Sequence, residues 1–436
     1  SHSPQEERGS ESNHHDRGPA MTPAVTPDDA VRLMDRLETL AQFSEAPDRL
    51  TRTDLSPEHK AAAEQVAEWM RAAGMAVTMD PLATIVGRYG GDRPDARTLL
   101  IGSHIDTVRD AGKYDGQLGV LLAISLVDIL NRTGRRLPFA IEVLAFGDEE
   151  GVRFPGTLRG SAAVAGTLTP DQLSVTDAAG ISVADALRGF GCDPDAHGTV
   201  ARRAGDLLAF LEVHIEQGPV LEARDLPVGI VTAIAAANRY KITLTGMAGH
   251  AGTVPMGLRR DALAAAAECA LAVERICAGR TDLVGTVGRM EVLPGAVNVI
   301  PGEVRFTLDL RGPSAAARDE AWGVIQAAWA EITARRGTPL TIERTHSHDG
   351  CVCDPWLMEA MAESVRRCGI APFRLPSGAG HDAMSLAGLT GVAMLFVRCA
   401  GGISHNPAES ITTADAQAAL RVMLDLLLTL PPVPPS

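Results

Sequence analysis

The amino-acid sequence predicts an α/β protein with a mostly parallel main sheet and an inserted, ferredoxin-like α+β domain. From residue 21 onward, short apolar runs typical of buried strands alternate with stretches typical of helices, which favours a parallel sheet. Around residue 235 the strands begin to alternate polar and apolar residues, as half-exposed strands do. After about residue 346, apolar runs like those of the first part of the chain return. We therefore expect a main domain formed by residues 21–234 and 346–436, interrupted by an inserted domain at 235–345.

The first domain opens with clear helix and strand signals. Ser56 and Pro57 predict the start of a helix that ends at Gly74, because an N-cap and a first-turn proline begin helices and glycine ends them. A long apolar stretch predicts a buried helix over residues 117–130. Ligand sites of parallel α/β sheets lie beyond the carboxyl ends of the strands, so the residues that follow each strand matter most. The predicted strands are 98–104, 139–146 and 207–213.

The inserted segment has its own order of elements. Strand, helix, strand, strand, helix and strand follow one another, which is the order of a ferredoxin-like unit. The predicted strands are 240–246, 285–291, 304–310 and 340–343, and the helices are 261–278 and 315–335.

Composition excludes several classes of protein. The 436 residues carry 40 Lys+Arg and 54 Asp+Glu, a net charge of −14, which argues against sequence-independent binding of nucleic acid. No run approaches the roughly 20 uninterrupted apolar residues of a membrane span. The seven cysteines are odd in number and scattered, which favours reduced thiols in a cytoplasmic protein. Residues 1–20 are polar and lack periodicity, so we expect a disordered tail there.

Imidazoles and carboxylates follow the predicted strands of the first domain and recur near the end of the chain. Three strand ends of this kind can converge at one edge of the sheet, and the set contains no thiol. Such a set suits zinc, manganese, cobalt or nickel. A lone His-x-Asp or Glu-Glu pair is more often a surface feature, so the prediction depends on their joint occurrence. The residues are His104, Asp106, Asp115, Glu149, Glu150, His214 and His405.

The spacing of these residues suggests separate tasks. A carboxylate two positions after His104 can accept the other imidazole N–H and fix the tautomer that binds metal. Glu149 and Glu150 point in different directions at a strand end, so one can bind metal while the other moves a proton. Asp115 is placed in chain order to bridge two ions, as a two-metal site requires. We find no G-x-S-x-G elbow, no Walker A loop and no H-E-x-x-H motif.

Several motifs together resemble the dinuclear-metal peptidase and aminoacylase superfamily. Within it, the chain is most similar to the hydantoinase/carbamoylase amidase branch, which contains allantoate amidohydrolases, N-carbamoyl-L-amino acid amidohydrolases and β-alanine synthases. The His-Ile-Glu-Gln-Gly segment is typical of this branch, because peptidase relatives have a carboxylate where His214 stands. The matching segments are 102–107, 114–116, 149–154, 214–218, 249–252, 298–301 and 404–405.

The resemblance implies two divalent metal ions per subunit, zinc or manganese, with cobalt or nickel as alternatives. It also implies Glu149 as the general base and Asp106 as the residue that orients His104. His250 resembles an oxyanion-side donor that the partner subunit often contributes. The implied metal ligands are His104, Asp115 as the bridge, Glu150, His214 and His405. The implied substrate residues are Asn298, Arg311 and Arg239 for a carboxylate, and Gln217 and His381 near the carbamoyl group.

The resemblance implies hydrolysis of a ureido (N-carbamoyl) C–N bond with release of ammonia. Allantoate and N-carbamoyl-L-amino acids are the expected substrates, with a preference for allantoate because residues 149–155 and 401–407 resemble allantoate-type members most. Two alternatives stay open: a metal-dependent exopeptidase or N-acyl-amino acid aminoacylase, and a metal-stabilised binding protein without activity. We also expect a homodimer in which the inserted domain pairs across a two-fold axis and closes over the site.

Overall fold

A computed structural model describes residues 22–433. The tail predicted for residues 1–20 lies outside this range. Within the described range, no helix is both long and apolar enough to cross a membrane. All seven cysteines also fall within it, and each is a free thiol there.

Sixteen strands and twelve α-helices make up the described chain. The strands are β1 (Ala76–Met79), β2 (Ile85–Tyr89), β3 (Thr98–His104), β4 (Ala140–Phe146), β5 (Leu207–Ile215), β6 (Val228–Ile234), β7 (Ala236–Thr245), β8 (Gly249–His250), β9 (Val284–Thr286), β10 (Met290–Leu293), β11 (Val299–Ile300), β12 (Glu303–Gly312), β13 (Leu340–His348), β14 (Cys351–Val352), β15 (Arg374–Ser377) and β16 (Val392–Val397). The helices are α1 (Pro27–Leu40), α2 (Pro57–Ala72), α3 (Gln117–Arg132), α4 (Arg159–Ala165), α5 (Pro170–Ser174), α6 (Val183–Phe190), α7 (Val220–Ala223), α8 (Ala262–Ala278), α9 (Ala315–Arg336), α10 (Pro355–Arg367), α11 (Ala383–Leu386) and α12 (Thr413–Thr429).

The large sheet has nine strands in the order β1-β2-β4-β3-β5-β16-β6-β14, with β15 also paired to β6. Its four central strands, β4-β3-β5-β16, are parallel. The flanks are antiparallel at β1-β2, β2-β4, β16-β6 and β6-β14. On the same flank, β15 is parallel to β6. The predicted mostly parallel sheet is therefore correct for the centre and wrong for the other flanking pairs, and the sheet is mixed. A short turn joins β1 to β2, and such a turn permits only antiparallel pairing.

The central strands are buried along their whole length. Every residue of β3, β4, β5 and β16 is buried, as is nearly all of α3, which packs against β3 and β5. Burial on both faces explains why these strands read as continuous apolar runs in the sequence. The ends of these rigid strands are therefore fixed positions from which side chains can be presented.

A glycine permits the close packing of α3 on the sheet. A Cβ atom at Gly119 would overlap the backbone carbonyl oxygen of Val213 in β5. We expect Gly119→Ala to lower the free energy of unfolding by about 1–3 kcal/mol, because backbone on both sides must move. Denaturant titration measures the loss. Gly189→Ala is the matched control: its Cβ meets nothing within 4 Å on α6. An equal effect of both substitutions would contradict the packing argument.

Residues between β6 and β14 form a second, five-stranded antiparallel sheet with its own core. Its order is β10-β12-β7-β13, and β9 also pairs with β12. Helices α8 and α9 cover one face, where Tyr240, Phe306 and Trp329 pack together. The strand predicted over 285–291 is wrong in extent, because two short strands, β9 and β10, stand there instead. Strands β8 and β11, from the same segment of the chain, pair with each other in a separate two-stranded ribbon.

Candidate active site

Polar side chains from four strand ends of the large sheet meet at one place. They follow β3, β4 and β16 or lie near the end of β5, at the carboxyl ends of the parallel strands. A cavity of about 330 Å³ lies beside them. Residues of the five-stranded antiparallel sheet, called the small sheet, line its other side. The predicted site residues that line it are Asp115, Glu149, Glu150, His214, Gln217, Arg239, Arg311 and His405.

Asp115 lies at the centre of this cluster. Its Oδ1 is 3.4 Å from Nε2 of His104 and 3.2 Å from Nε2 of His214. Its Oδ2 is 3.2 Å from Nε2 of His405, which in turn is 3.5 Å from Oε1 of Glu150. The two oxygens of one carboxylate thus face two different sets of side chains.

These two sets have the composition of metal sites. His104, Asp115 and His214 form one group, and Asp115, Glu150 and His405 form the other, with potential ligand atoms within 4.8 Å of one another in each. Imidazole and carboxylate are the donors that first-row divalent cations prefer. Nε2 of His104 is buried and makes no hydrogen bond, although it faces two carboxylates. The cluster could therefore bind metal.

Hydrogen bonds fix the two buried imidazoles. Nδ1 of His104 lies 3.0 Å from the backbone carbonyl of Asp106 and 3.3 Å from its carboxylate, and Nδ1 of His214 lies 2.9 Å from the carbonyl of Ile215. With Nδ1 engaged, Nε2 of each ring is left to face Asp115. The Asp106 carboxylate also accepts the N–H groups of Glu149 at 3.1 Å and Glu150 at 3.2 Å. Asp106 thereby joins the ends of β3 and β4.

Burial and neighbouring ionisable groups shift the pKa values of the side chains in this cluster. Burial opposes ionisation of Asp115, but the three imidazoles that face it, His104, His214 and His405, hold the pKa of its carboxyl well below the usual value. Burial raises the pKa of Glu149 well above its usual value, and burial with the nearby Asp115 raises the pKa of Glu150 to about 7. The hydrogen bond to Asp115 raises the pKa of His405 to about 9. Cations bound among these carboxyls would favour their ionised forms.

Glu409, which the sequence did not single out, and Ser404, for which it predicted no role, complete the cluster. Oε1 of Glu409 accepts the backbone N–H of Tyr114 at 2.8 Å and of Asp115 at 3.1 Å. Its Oε2 accepts the hydroxyl of Ser404 at 3.0 Å, and that hydroxyl also lies 2.9 Å from Oδ2 of Asp115. Glu409 therefore ties the Asp115 loop to the loop that carries His405. Its position four residues after His405 gave no signal in the sequence.

Gln217 and His381, both predicted near the carbamoyl group, occupy different positions. Nε2 of Gln217 donates to Oδ2 of Asp115 at 2.7 Å and to Ser404 at 3.1 Å, so it lies in the cluster. His381 is buried behind His214, with ring centroids 4.5 Å apart and Nε2 2.7 Å from Oγ of Ser377. It is not among the residues that line the cavity. Burial, followed by the charge of His214, holds its pKa well below the usual value.

Arg239 and Arg311 form the opposite wall of the cavity on the small sheet. Nε of Arg239 donates to Oδ2 of Asp309 at 2.9 Å. Arg311 donates to both oxygens of the same carboxylate, from Nε at 2.8 Å and from Nη2 at 3.0 Å. Asp309 was not predicted, and it holds both guanidinium groups at the cavity.

His250 and Asn298 are not brought to this cavity within the described chain. Both are exposed: His250 lies on β8, where it pairs with Val299, and Asn298 directly precedes β11. Nδ1 of His250 accepts the N–H of Gly252 at 3.0 Å, and the carbonyl of Asn298 accepts the N–H of Ala251 at 3.0 Å. Neither side chain lines the cavity beside Asp115.

The chain belongs to the peptidase family M20/M25/M40, which its residues 100–429 match. It is 42% identical to an N-carbamoyl-L-amino acid amidohydrolase of Geobacillus stearothermophilus, over 90% of this chain and 96% of the relative. It is 41% identical to an allantoate deiminase of Arabidopsis thaliana, over 93% and 82%. Among solved structures, it is similar to a hydantoinase/carbamoylase family amidase from Burkholderia multivorans, with a TM-score of 0.86, 34% identity, and 92% and 97% coverage. These similarities confirm the resemblance to the amidase branch and the prediction of a hydrolase.

Proposed function

We propose that this protein hydrolyses the C–N bond of a ureido carboxylic acid, allantoate or an N-carbamoyl-L-amino acid, and releases ammonia. One observation carries the proposal: the Asp115 cluster and two arginines face each other across one cavity. A cluster of metal-binding type suits attack on a carbonyl group. Planar guanidinium groups suit a carboxylate. The names of the relatives described above support the same reaction.

The metal-binding residues divide into two sets that share Asp115. We assign His104, Asp115 and His214 to one divalent cation, and Asp115, Glu150 and His405 to a second. Zinc or manganese fits these donors, with cobalt or nickel as alternatives. When bound, such cations polarise a substrate carbonyl and make water more acidic. Asp106 contributes indirectly by holding the His104 ring in the required tautomer.

Glu149 is the proposed proton carrier. Its Oε2 lies 3.8 Å from Nε2 of His104, and its side chain lines the cavity, so it faces a substrate placed there. It accepts a proton from water as the water oxygen bonds to the carbamoyl carbon. It then gives that proton to the terminal nitrogen, whose bond to carbon breaks as ammonia leaves. The remaining carbamate loses carbon dioxide and yields the amine.

The other proposed substrate contacts lie on the inserted segment. Arg239 and Arg311 bind the substrate carboxylate and so hold the carbamoyl carbon at the cluster. Asn298 lies outside the cavity of its own chain, beside the ribbon that carries His250, and would join them from the partner subunit. His250 donates to the oxygen that becomes negative, from the partner subunit of a homodimer. Gln217 and His381 act near the carbamoyl group, with His381 supporting His214 from behind.

We propose that residues 235–345 are an inserted, ferredoxin-like domain that closes over the site and forms the dimer. The strand order β13-β7-β12-β10, with α8 and α9 on one face, supports this assignment. Residues 21–234 and 346–436 then form the catalytic domain, except that β13 extends the sheet of the inserted domain to His348. Closure of the inserted domain would bring the arginines of β7 and β12 towards the substrate.

Ammonia release by the manganese- or zinc-loaded protein tests the proposed function. The panel is allantoate, N-carbamoyl-L-methionine, N-carbamoyl-β-alanine and an alanine dipeptide. We expect ammonia from a ureido acid and no cleavage of the dipeptide. Removal of metal with a chelator is expected to abolish the release, and added metal to restore it. Cleavage of the dipeptide alone would contradict the proposal and indicate an exopeptidase.

A further inference from the structure

The small sheet presents two polar residues to the cavity, one on each side of a buried alanine. Ala237 of β7 pairs with Arg311 of β12 on one side and with His348 of β13 on the other. Because neighbouring strands lie about 4.8 Å apart, the backbones of Arg311 and His348 are separated by about 10 Å across Ala237. Ala237 between them is buried and contributes no polar side-chain atom. Both Arg311 and His348 line the cavity.

In the next row of residues on the same face, Arg239 and Asp309 form an ion pair. Arg239 pairs with Asp309 on one side and with His346 on the other, and its guanidinium donates to the Asp309 carboxylate. Asp309 also fixes Arg311, whose remaining amino group donates to the carbonyl of Gly378 in the large-sheet domain. Arg311 is thus a cation in a fixed position on one side of Ala237.

His348 provides a different kind of group at the other side. Burial, followed by the charges of His346 and three arginines, lowers its pKa to about 4, so its ring is neutral at neutral pH. Its Nδ1 is buried and makes no hydrogen bond. A buried N–H without a partner is rarer than an unpaired acceptor, which favours the tautomer that carries the proton on Nε2. A neutral N–H donor suits a carbonyl oxygen rather than a carboxylate.

We propose that His348 determines specificity by donating a hydrogen bond from Nε2 to a carbonyl oxygen on a second substituent of the substrate, while Arg311 binds the carboxylate. This inference rests on the proposed function and narrows its substrate. Allantoate carries two ureido groups on the carbon that bears its carboxylate. When one of them is at the Asp115 cluster, the carbonyl of the other is available to His348. An N-carbamoyl amino acid with an apolar side chain has no such group.

Steady-state kinetics of His348→Ala with allantoate and with N-carbamoyl-L-alanine test this role. We expect kcat/KM for allantoate to fall about 10- to 100-fold, because one hydrogen bond to a substrate carbonyl is lost. For N-carbamoyl-L-alanine we expect a change within about 2-fold, since it lacks the second carbonyl. His348→Gln keeps an N–H donor and should retain most of the activity towards allantoate. Glu343→Ala, an exposed position on the same strand that does not line the cavity, is the matched control and should change neither substrate's kcat/KM by more than about 2-fold.

The outcomes separate this inference from the proposed function. Equal losses with both substrates, or no loss with either, would overturn the role of His348 and leave ureido hydrolysis intact. A wild-type protein that hydrolyses N-carbamoyl-L-alanine but not allantoate would overturn it as well. A wild-type protein that hydrolyses neither acid would overturn the proposed function, and this inference with it.

Discussion

Glu149→Gln is expected to lower kcat for ammonia release by about 10²- to 10⁴-fold while the protein keeps its fold and its metal. The substitution preserves shape but removes the ability to accept a proton. Glu149 lines the cavity and forms a further group of potential ligands with His104 and Glu150, but unlike Glu150 it belongs to neither of the two groups that share Asp115. Its burial raises the carboxyl pKa, and a raised pKa suits a group that must take a proton and return it.

The neighbouring carboxylate is the control for this substitution. Glu150 faces His405 and belongs with it to one of the two proposed metal groups. Glu150→Gln should therefore lower the bound metal, measured by elemental analysis of the purified protein, whereas Glu149→Gln should not. Retained turnover in Glu149→Gln, or a loss of metal equal to that of Glu150→Gln, would contradict the division of tasks between the two residues.

The central strands could be predicted because strands that are buried on both faces consist of continuous apolar runs. The strand predicted over 98–104 coincides with β3, and Ser56 caps α2 as the pattern indicated. The flanking strand β1 was missed because it is short and mostly exposed, so it has no continuous apolar run. The antiparallel pairing at the flanks was not predicted, because the sequence does not specify the relative direction of these strands.

The cluster around Asp115 could be predicted for a similar reason. His104, Glu150 and His214 lie at or just beyond strand ends, where the parallel sheet places them together. Glu409 could not, because it reaches the backbone of Asp115 from a loop 294 residues further along the chain. Asp309 and His348 also escaped notice, since their relation to the cavity depends on the register of β12 and β13 with β7.

His250 is the second residue whose substitution is expected to cause a large loss of activity. His250 lies on an exposed ribbon and is absent from the lining of the cavity in its own chain. An exposed histidine of this kind can complete a site only if the ribbon reaches a cavity in another subunit or moves within its own. We expect His250→Ala to lower kcat by about 10²- to 10³-fold, as loss of one donor to a developing oxyanion does. His197→Ala, a substitution on the large-sheet domain away from the cavity, is the control and should leave kcat unchanged.

Mixing two inactive variants distinguishes these arrangements. A heterodimer of His250→Ala and Glu149→Gln subunits contains one site with an intact Glu149 and, if the partner supplies it, an intact His250. Random exchange of equal amounts makes about half of the dimers mixed, so about a quarter of the wild-type rate per subunit should return. The measurement is ammonia release before and after co-refolding or subunit exchange, with each variant alone as the reference. A rate that stays at the level of the separate variants, although exchange is demonstrated with tagged subunits, would mean that each chain builds its site alone. Closure of the inserted domain would then have to carry His250 to the cavity of the same chain.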